Sequence, residues 1–142
     1  MATLISRKTS RAQIATLLGQ ITTFVAVYDH EVKNFDGKSP VGMVHSDGSR
    51  QQFPFYTQQW HRLLISLFWK RTDDDATEDY IDDLAVAVLQ KLYDNAEESG
   101  YWSDIDFAPG GENEYSEMDY VLVDGEQYRR EVIRIAVQVI GS

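Results

Sequence analysis

The chain has 142 residues, 43% hydrophobic and 25% charged, a composition typical of one globular domain. It contains no cysteine, which excludes a disulfide framework, thiolate zinc sites and a thiol nucleophile and fits assembly in a reducing cytoplasm. The formal net charge is −10 at pH 7. Residues 1–72 are basic, with nine Lys/Arg and four Asp/Glu. Residues 73–119 are strongly acidic, with one Lys and sixteen Asp/Glu, and residues 120–142 are balanced, with three basic and three acidic residues. Phosphate binding needs clustered cations, so this division favours a charged protein surface over nucleic acid as partner.

The first predicted element is a short helix with Ser10 as its N-cap and Gly19 just past its end. Ile14, Leu17 and Leu18 would form its buried stripe. Basic residues followed by this apolar segment loosely imitate a signal peptide, but polar residues interrupt the segment and no cleavage site follows. No other stretch approaches the length of a membrane span, so no membrane association is predicted.

Four strands are predicted next. The β-branched stretch "ITTFVAVY" (21–28) is the first, and "VGMVHS" and "QQFPFY" flank Asp47-Gly48 as a strand pair. The stretch "WHRLLISLFWK" (60–70) is apolar on both faces, which is typical of a central strand covered on both sides. Its two predicted faces are Leu63, Ile65, Leu67 and Trp69 on one side, and Leu64 and Phe68 on the other.

The clearest element is a helix over residues 72–98, with Thr72 and the three following aspartates as a capping box and Gly100 as its stop. Its predicted core stripe comprises Ile81, Leu84, Ala85, Val88, Leu89, Leu92 and Ala96. Acidic residues occupy the opposite side, but Val86 and Tyr93 lie among them. This mixture indicates that the acidic side is more than a solvated surface.

The C-terminal part predicts a strand at "YWSDIDF" and a hairpin over 119–139 that turns at Asp124-Gly125, where both central residues need positive φ. The predicted order is α–β–β–β–β–α–β–β–β. This order gives an α+β fold: a mainly antiparallel central sheet packed against one long and one short helix, in a single domain over 1–142.

No catalytic constellation is predicted. The Asp73–Asp75 run fits a helix terminus better than a cation site, and Asp29-His30-Glu31 fits a solvated loop. His45 and His61 are interpreted as strand histidines with ordinary hydrogen bonds. The chain has no Gly-x-Ser-x-Gly elbow, and Gly110-Gly111 lacks the features of a phosphate loop. We therefore expect no enzymatic activity, no metal and no cofactor.

Two patterns instead predict self-association. The short helix is expected to cover only part of the second face of the central strand, which would leave apolar surface for a neighbour unless loops 29–40 and 108–114 fold over it. The divided charge could also bring opposite charges together between copies in a head-to-tail ring. The candidate interface residues are the basic Arg7, Lys8, Arg11, Arg50 and Arg71 and the acidic Asp79, Asp82, Asp83 and Glu97.

Over residues 10–139 the chain resembles tail-terminator proteins of long-tailed, siphovirus-type bacteriophages. The matching features are the short N-terminal helix, "FVAVYDHEVKNFDGKSPVGMVHSDG", "WHRLLISLFW", "DDDATEDYIDDL" and "VLVDGEQYRREVIRIAVQV". These features are segments of predicted helix, strand and hairpin, and they contain no catalytic motif.

The resemblance implies a central sheet packed against helices and a homohexameric ring that caps the tail tube. The ring would stop tube elongation and offer a docking surface to the head-side connector protein, so the partners would be further copies, the tail tube protein and the connector. Its place would be the head-tail junction of the virion, and no cofactor or active site is implied. The alternatives are another neck protein, such as a head-completion protein or adaptor, and an acidic DNA-mimic inhibitor.

Overall fold

The computed structural model describes residues 5–51, 58–109 and 116–140. Within them the order is α1 (Arg7–Gly19), β1 (Ala26–Tyr28), β2 (Val41–Gln51), β3 (Gln58–Lys70), α2 (Asp74–Asp94), β4 (Asp104–Asp106), β5 (Glu117–Val123) and β6 (Glu126–Ile140). These strands form one sheet in the order β1-β2-β3-β6-β4, with β5 also paired to β6. The β1–β2 pair is parallel and the other pairs are antiparallel. The α+β class and the mainly antiparallel sheet are thus confirmed.

Strand β3 lies at the centre of the sheet, as its apolar composition predicts. It pairs with β2 on one side and with β6 on the other, from Gln58↔Ile140 to Lys70↔Tyr128. The far side of β6 is shared by two shorter strands, because β5 pairs with its first half and β4 with its second half. The molecule is therefore organised along β3 and β6, its two longest described strands.

Both helices pack on the same face of the sheet, which we call the helix face. The stripes of α1 and α2 join one core with the inward residues of β2, β3 and β6. The expectation that α1 would cover the opposite face is wrong. Helix α1 lies over β1 and β2, beside α2, which lies over β3 and β6. The two helices thus divide one wide sheet face between them.

The other face, the second face, is covered at one end by the segment 29–40. Phe35 is buried there, edge-on against the rings of Phe68 and Tyr128 at centroid distances of 4.8 and 5.4 Å. The Tyr128 hydroxyl donates to the carbonyl of Lys38 at 3.1 Å, which fastens the segment. The alternative that a loop folds over this face is therefore confirmed for segment 29–40, and most of loop 108–114 lies outside the described residues.

The helix boundaries differ from the predicted ones. Helix α1 is capped by Ser6, whose hydroxyl accepts from the Thr9 N–H, whereas Ser10 lies buried inside the helix and Gly19 is its last residue. Helix α2 is capped by Asp73 in place of Thr72, and it ends at Asp94. Polar residues able to cap are frequent in both regions, so the sequence could not single out the ones that do.

Two strand predictions are also wrong. Residues 20–25 form turns that continue from α1, with the Ile21 and Phe24 N–H groups donating to Leu18 and Ile21, so only Ala26–Tyr28 are extended.

Asp47-Gly48 is not a strand turn, because β2 runs through it with a register shift between Ser46 and Ser49. Gly48 adopts a positive φ of +92° at this irregularity. The Asp-Gly pair therefore does mark a backbone that needs glycine, but the backbone forms a bulge within the strand and not a turn between strands. Most of "QQFPFY" lies outside the described residues.

The closing hairpin is confirmed. β5 and β6 join at Asp124 and Gly125, with φ of 50° and 79°, as a type I′ turn requires. Within the described residues, no helix is long and apolar enough to cross a membrane.

Candidate interaction surfaces

One basic surface surrounds the start of α1. Arg7 and Lys8 are exposed there, and among the described residues no carboxylate pairs with either. The unpaired amides of a helix N-terminus add positive potential. Arg11 is less available, because its guanidinium donates to the Ser46 hydroxyl at 3.0 Å. Arg50 lies in β2 opposite Trp60.

Arg71 lies at the other end of the sheet from this surface. The Ile5 carbonyl contacts His61 near the start of β3, whereas Arg71 follows the last residue of that strand. Ten residues of strand separate them, roughly 30 Å at a rise of about 3.3 Å per residue. Arg71 donates to the Gln127 side chain at 2.7 Å and stacks on the Tyr120 ring. The five predicted basic residues therefore do not form one patch.

The acidic surface is the outer side of α2. Asp79, Asp82 and Asp83 are exposed there, and the described residues give none of them an ion-pair partner. Val86 and Tyr93 lie on the same side, 66% and 56% exposed. Glu97 is exposed too, beyond the end of the helix.

The orientation of α2 places the acidic surface away from the basic one. Tyr80 stacks on Trp69 with centroids 4.9 Å apart, which fixes the start of α2 near the end of β3. The other end of α2 lies toward α1, because the Trp102 indole donates to the Asn95 carbonyl and the Ser10 hydroxyl donates to Tyr101. The basic start of α1 and the three aspartates therefore lie toward opposite ends of one molecule.

A third surface, the β5 stripe, is not among the interfaces predicted from the sequence. It consists of Met118, Tyr120 and Leu122, which are 37%, 38% and 74% exposed. These residues alternate along β5 and therefore share one face of the sheet, beyond the part that α2 covers. The alternation is visible in the sequence. What cannot be read there is that neither helix covers it, and that the described groups over its middle residue, Tyr120, are the guanidinium groups of Arg71 and Arg129.

The most chemically suggestive polar pair is Ser49 and His61. His61 is buried, and its Nε2 lies 2.7 Å from the Ile5 carbonyl, so Nε2 must donate. Nδ1 then accepts from the Ser49 hydroxyl, also at 2.7 Å. Burial lowers the pKa of His61, and the charge of Arg7 adds to the effect. Both ring nitrogens of the neutral imidazole are thus hydrogen-bonded, and the ring fastens Ile5, just before α1, to the sheet.

The two strand histidines lie on opposite faces of the sheet. His45 pairs with Leu64 and lies on the second face, whereas His61 lies on the helix face with Leu63 and Ile65, so the two rings do not converge. Among residues 5–51, 58–109 and 116–140, no group of three or more His, Cys, Asp or Glu could hold a metal ion.

Comparison with known proteins adds no family assignment. No protein-family model matches the chain. A search of curated proteins also gives no match.

Proposed function

We propose that the chain is a tail terminator of a long-tailed bacteriophage that assembles into a ring of six copies. The ring closes the end of the tail tube and presents a joining surface to the head-side connector. The copy number and the position in the particle rest on the resemblance of the sequence pattern. The fold supplies the two charged surfaces, at the start of α1 and on the outer side of α2, through which the copies in such a ring would touch.

The observation that carries the proposal is the separation of two charged surfaces that have no ion-pair partner among the described residues. Arg7 and Lys8 at the start of α1 and the aspartates of α2 lie toward opposite ends of the molecule, so they cannot pair within one chain. Between copies they can meet head-to-tail. A contact between two different surfaces propagates, and it closes into a ring when the rotation per subunit allows.

The strength of such a contact has two parts. Exposed ion pairs contribute about 0.2–1 kcal/mol each and weaken as salt screens them. Val86 and Tyr93, exposed among the aspartates, supply apolar area that salt does not weaken. Charges would therefore orient neighbouring copies, and the apolar residues would hold them.

Charge reversal tests the contact. Lys8→Glu should shift ring assembly to higher protein concentration, because it replaces an attraction by a repulsion at every subunit boundary. Asp82→Lys should do the same, and a mixture of the two variants should recover part of the assembly. Lys33→Glu changes the charge equally at an exposed position of segment 29–40 and serves as the matched control. Native mass spectrometry over a concentration and salt series gives the readout.

The outcomes separate this proposal from its alternatives. A closed ring of six in the particle, at the tube end, supports the terminator, whereas a ring of another size elsewhere in the neck favours a head-completion protein or adaptor. A protein that stays monomeric both alone and in the particle contradicts the ring. Competition with DNA for a DNA-binding enzyme would favour the acidic inhibitor, which the exposed carboxylates of α2 keep as the second candidate.

A further inference from the structure

Strand β5 has an open edge in the part of the chain that the structure describes. It pairs with β6 on one side, from Glu117↔Val132 to Val123↔Glu126, and no described strand pairs with its other side. An open edge presents unpaired N–H and C=O groups that can accept another strand. Proteins usually guard such edges with lysine, proline or a bulge, but the sequence "EMDYVLV" contains neither lysine nor proline and pairs in continuous register.

The acidic residues of β5 do not guard the edge either. The Asp119 carboxylate accepts from the Arg130 Nε at 2.9 Å, and the Glu117 carboxylate accepts from Arg134 at 2.7 Å. Both negative charges are therefore compensated by β6 of the same chain. A second acidic strand would meet little repulsion here.

The hairpin fixes which backbone groups point outward. In a type I′ turn the Val123 carbonyl faces the Glu126 N–H, so the backbone of Val123 points toward β6. Alternate residues of an antiparallel strand point the other way, which directs the groups of Met118, Tyr120 and Leu122 to the open side. The bond from the Arg71 N–H to the Gln127 carbonyl agrees, because Gln127, the partner of Leu122, faces away from β5.

The outward backbone groups thus belong to the three residues of the exposed β5 stripe. An added strand would bond to Met118, Tyr120 and Leu122 and could also cover their side chains. Met118 and Leu122, 37% and 74% exposed, supply most of the apolar area that this strand would bury. Tyr120 is 38% exposed beside the guanidinium groups of Arg71 and Arg129, which lie over its ring. A single added strand would therefore pair with the free backbone groups and also cover the exposed side chains.

The sequence of β5 is complementary to itself in one antiparallel register. With Tyr120 opposite its own copy, Met118 lies opposite Leu122, so all three outward-facing residues pair. On the other face Asp119 lies opposite Val121 and Glu117 opposite Val123, so no like charges are opposed. Shifting the axis to residue 119 places two aspartates opposite each other, and shifting it to residue 121 moves Met118 past the end of the partner strand.

We propose that β5 pairs antiparallel with β5 of a second copy about a two-fold axis at Tyr120, which joins two sheets edge to edge in the free protein. This pairing does not rest on the proposed ring. A cyclic ring uses head-to-tail contacts, so the two assemblies would use different surfaces of the chain. The seam combines backbone hydrogen bonds with apolar contact, and it should therefore persist at a salt concentration that weakens the charged contact.

The absence of native cysteine allows a geometric test. Tyr120→Cys should be linked rapidly to its twin by a short bifunctional thiol reagent, because directly opposite residues of a hydrogen-bonded pair have Cα atoms about 5.5 Å apart. Met118→Cys is the matched control on the same stripe. Its twin would lie four residues further along, roughly 14 Å away, so it should not link to itself. A mixture of Met118→Cys and Leu122→Cys should link.

Light scattering gives an independent readout, measured in Asp82→Lys so that the charged contact of the ring does not contribute. We expect twice the monomer mass for this variant at high salt and a return to the monomer mass when Leu122→Lys is added, with the far-UV spectrum unchanged. A monomer at all concentrations overturns the proposal, and so does equal linking of Tyr120→Cys and Met118→Cys. Rapid linking of Met118→Cys alone would also overturn it, because that pattern requires another register.

Discussion

The stripe of α2 and the stripe of β5 are both apolar and regularly spaced, but they have different fates. Ile81, Leu84, Val88 and Leu92 of α2 are between 0% and 2% exposed, whereas Met118, Tyr120 and Leu122 of β5 are between 37% and 74% exposed. Periodicity shows which residues share a face. It does not show whether the chain contains the partner that buries that face.

The difference has a structural origin. Helix α2 lies over β3 and β6, and Leu84, Val88 and Leu92 of its stripe pack in one buried cluster with residues of these two strands. Strand β5 lies beyond β6, outside the area that the helix covers. The first stripe should therefore contribute to folding, and the second to association.

The largest expected effect follows from Leu84→Ala, which removes a fully packed side chain of the α2 stripe. We expect the free energy of unfolding to fall by about 2–5 kcal/mol, as for other core leucines. Val88→Ala should act in the same direction but less strongly, because it removes fewer buried carbons. Urea unfolding provides the measurement.

The control for this prediction is Val86→Ala, two residues away in the same helix but 66% exposed. It should change the stability by no more than about 0.5 kcal/mol. A cost for Leu84→Ala as small as that of Val86→Ala would show that the stripe is not the buried side of the helix.

A smaller loss is expected from Gly125→Val in the turn between β5 and β6. Its φ of +79° is disfavoured for a β-branched residue, and such strain costs roughly 1–3 kcal/mol. A Cβ added to Gly125 would meet no atom within 4 Å, so the loss would come from the backbone and not from a clash. Gly125→Asn has a side chain but tolerates positive φ, and its stability should lie near that of the unmodified chain. Equal losses in both variants would exclude backbone strain as the cause.

His61, buried on the helix face, should make the stability of the fold depend on pH. The folded chain holds the pKa of His61 below the usual 6.5, so the unfolded chain binds more protons as the pH falls. The stabilisation is complete above pH 6.5 and decreases as the pH falls from there through the folded pKa. His61→Gln should flatten the stability curve between pH 7 and pH 5, as followed by thermal unfolding at several pH values. An unchanged slope in this variant would assign the pH dependence to other groups.

The smallest effect on folding is expected from Leu122→Ser in the β5 stripe. The side chain is 74% exposed, so the stability of the monomer should change by no more than about 0.5 kcal/mol when measured in dilute solution. Its effect should appear in association, as a weaker dimer in sedimentation at increasing concentration. A large loss of monomer stability would instead mean that this chain itself covers the residue.

Much of the fold could be predicted because its signals are local. The α2 stripe follows from helical spacing, the central position of β3 from its two apolar faces, and the Asp124-Gly125 turn from the need for positive φ. The same kind of signal misled at Asp47-Gly48, since a bulge and a turn both use a glycine with positive φ. The residue types showed where the backbone needs a positive φ, but they did not show whether a bulge or a turn forms there.

The candidate surfaces were harder to predict because they depend on tertiary placement. Charge counting selected Arg11 and Arg71 together with Arg7 and Lys8, but the fold engages Arg11 with Ser46 and places Arg71 beside Tyr120 at the far end of β3. The position of α1 beside α2 was equally invisible, since the sequence does not show on which sheet face a helix packs. The β5 stripe was missed because its exposure depends on how far across the sheet α2 extends, which is over β3 and β6.

Imaging of the assembled particle at a resolution that separates subunits would show whether the chain forms the proposed ring. The proposed function predicts six copies of this chain in a closed ring at the head-side end of the tail tube, with the start of α1 in each copy facing the acidic side of α2 in the next. A particle that contains the chain as an isolated single copy, or that lacks it at this junction, would contradict that function.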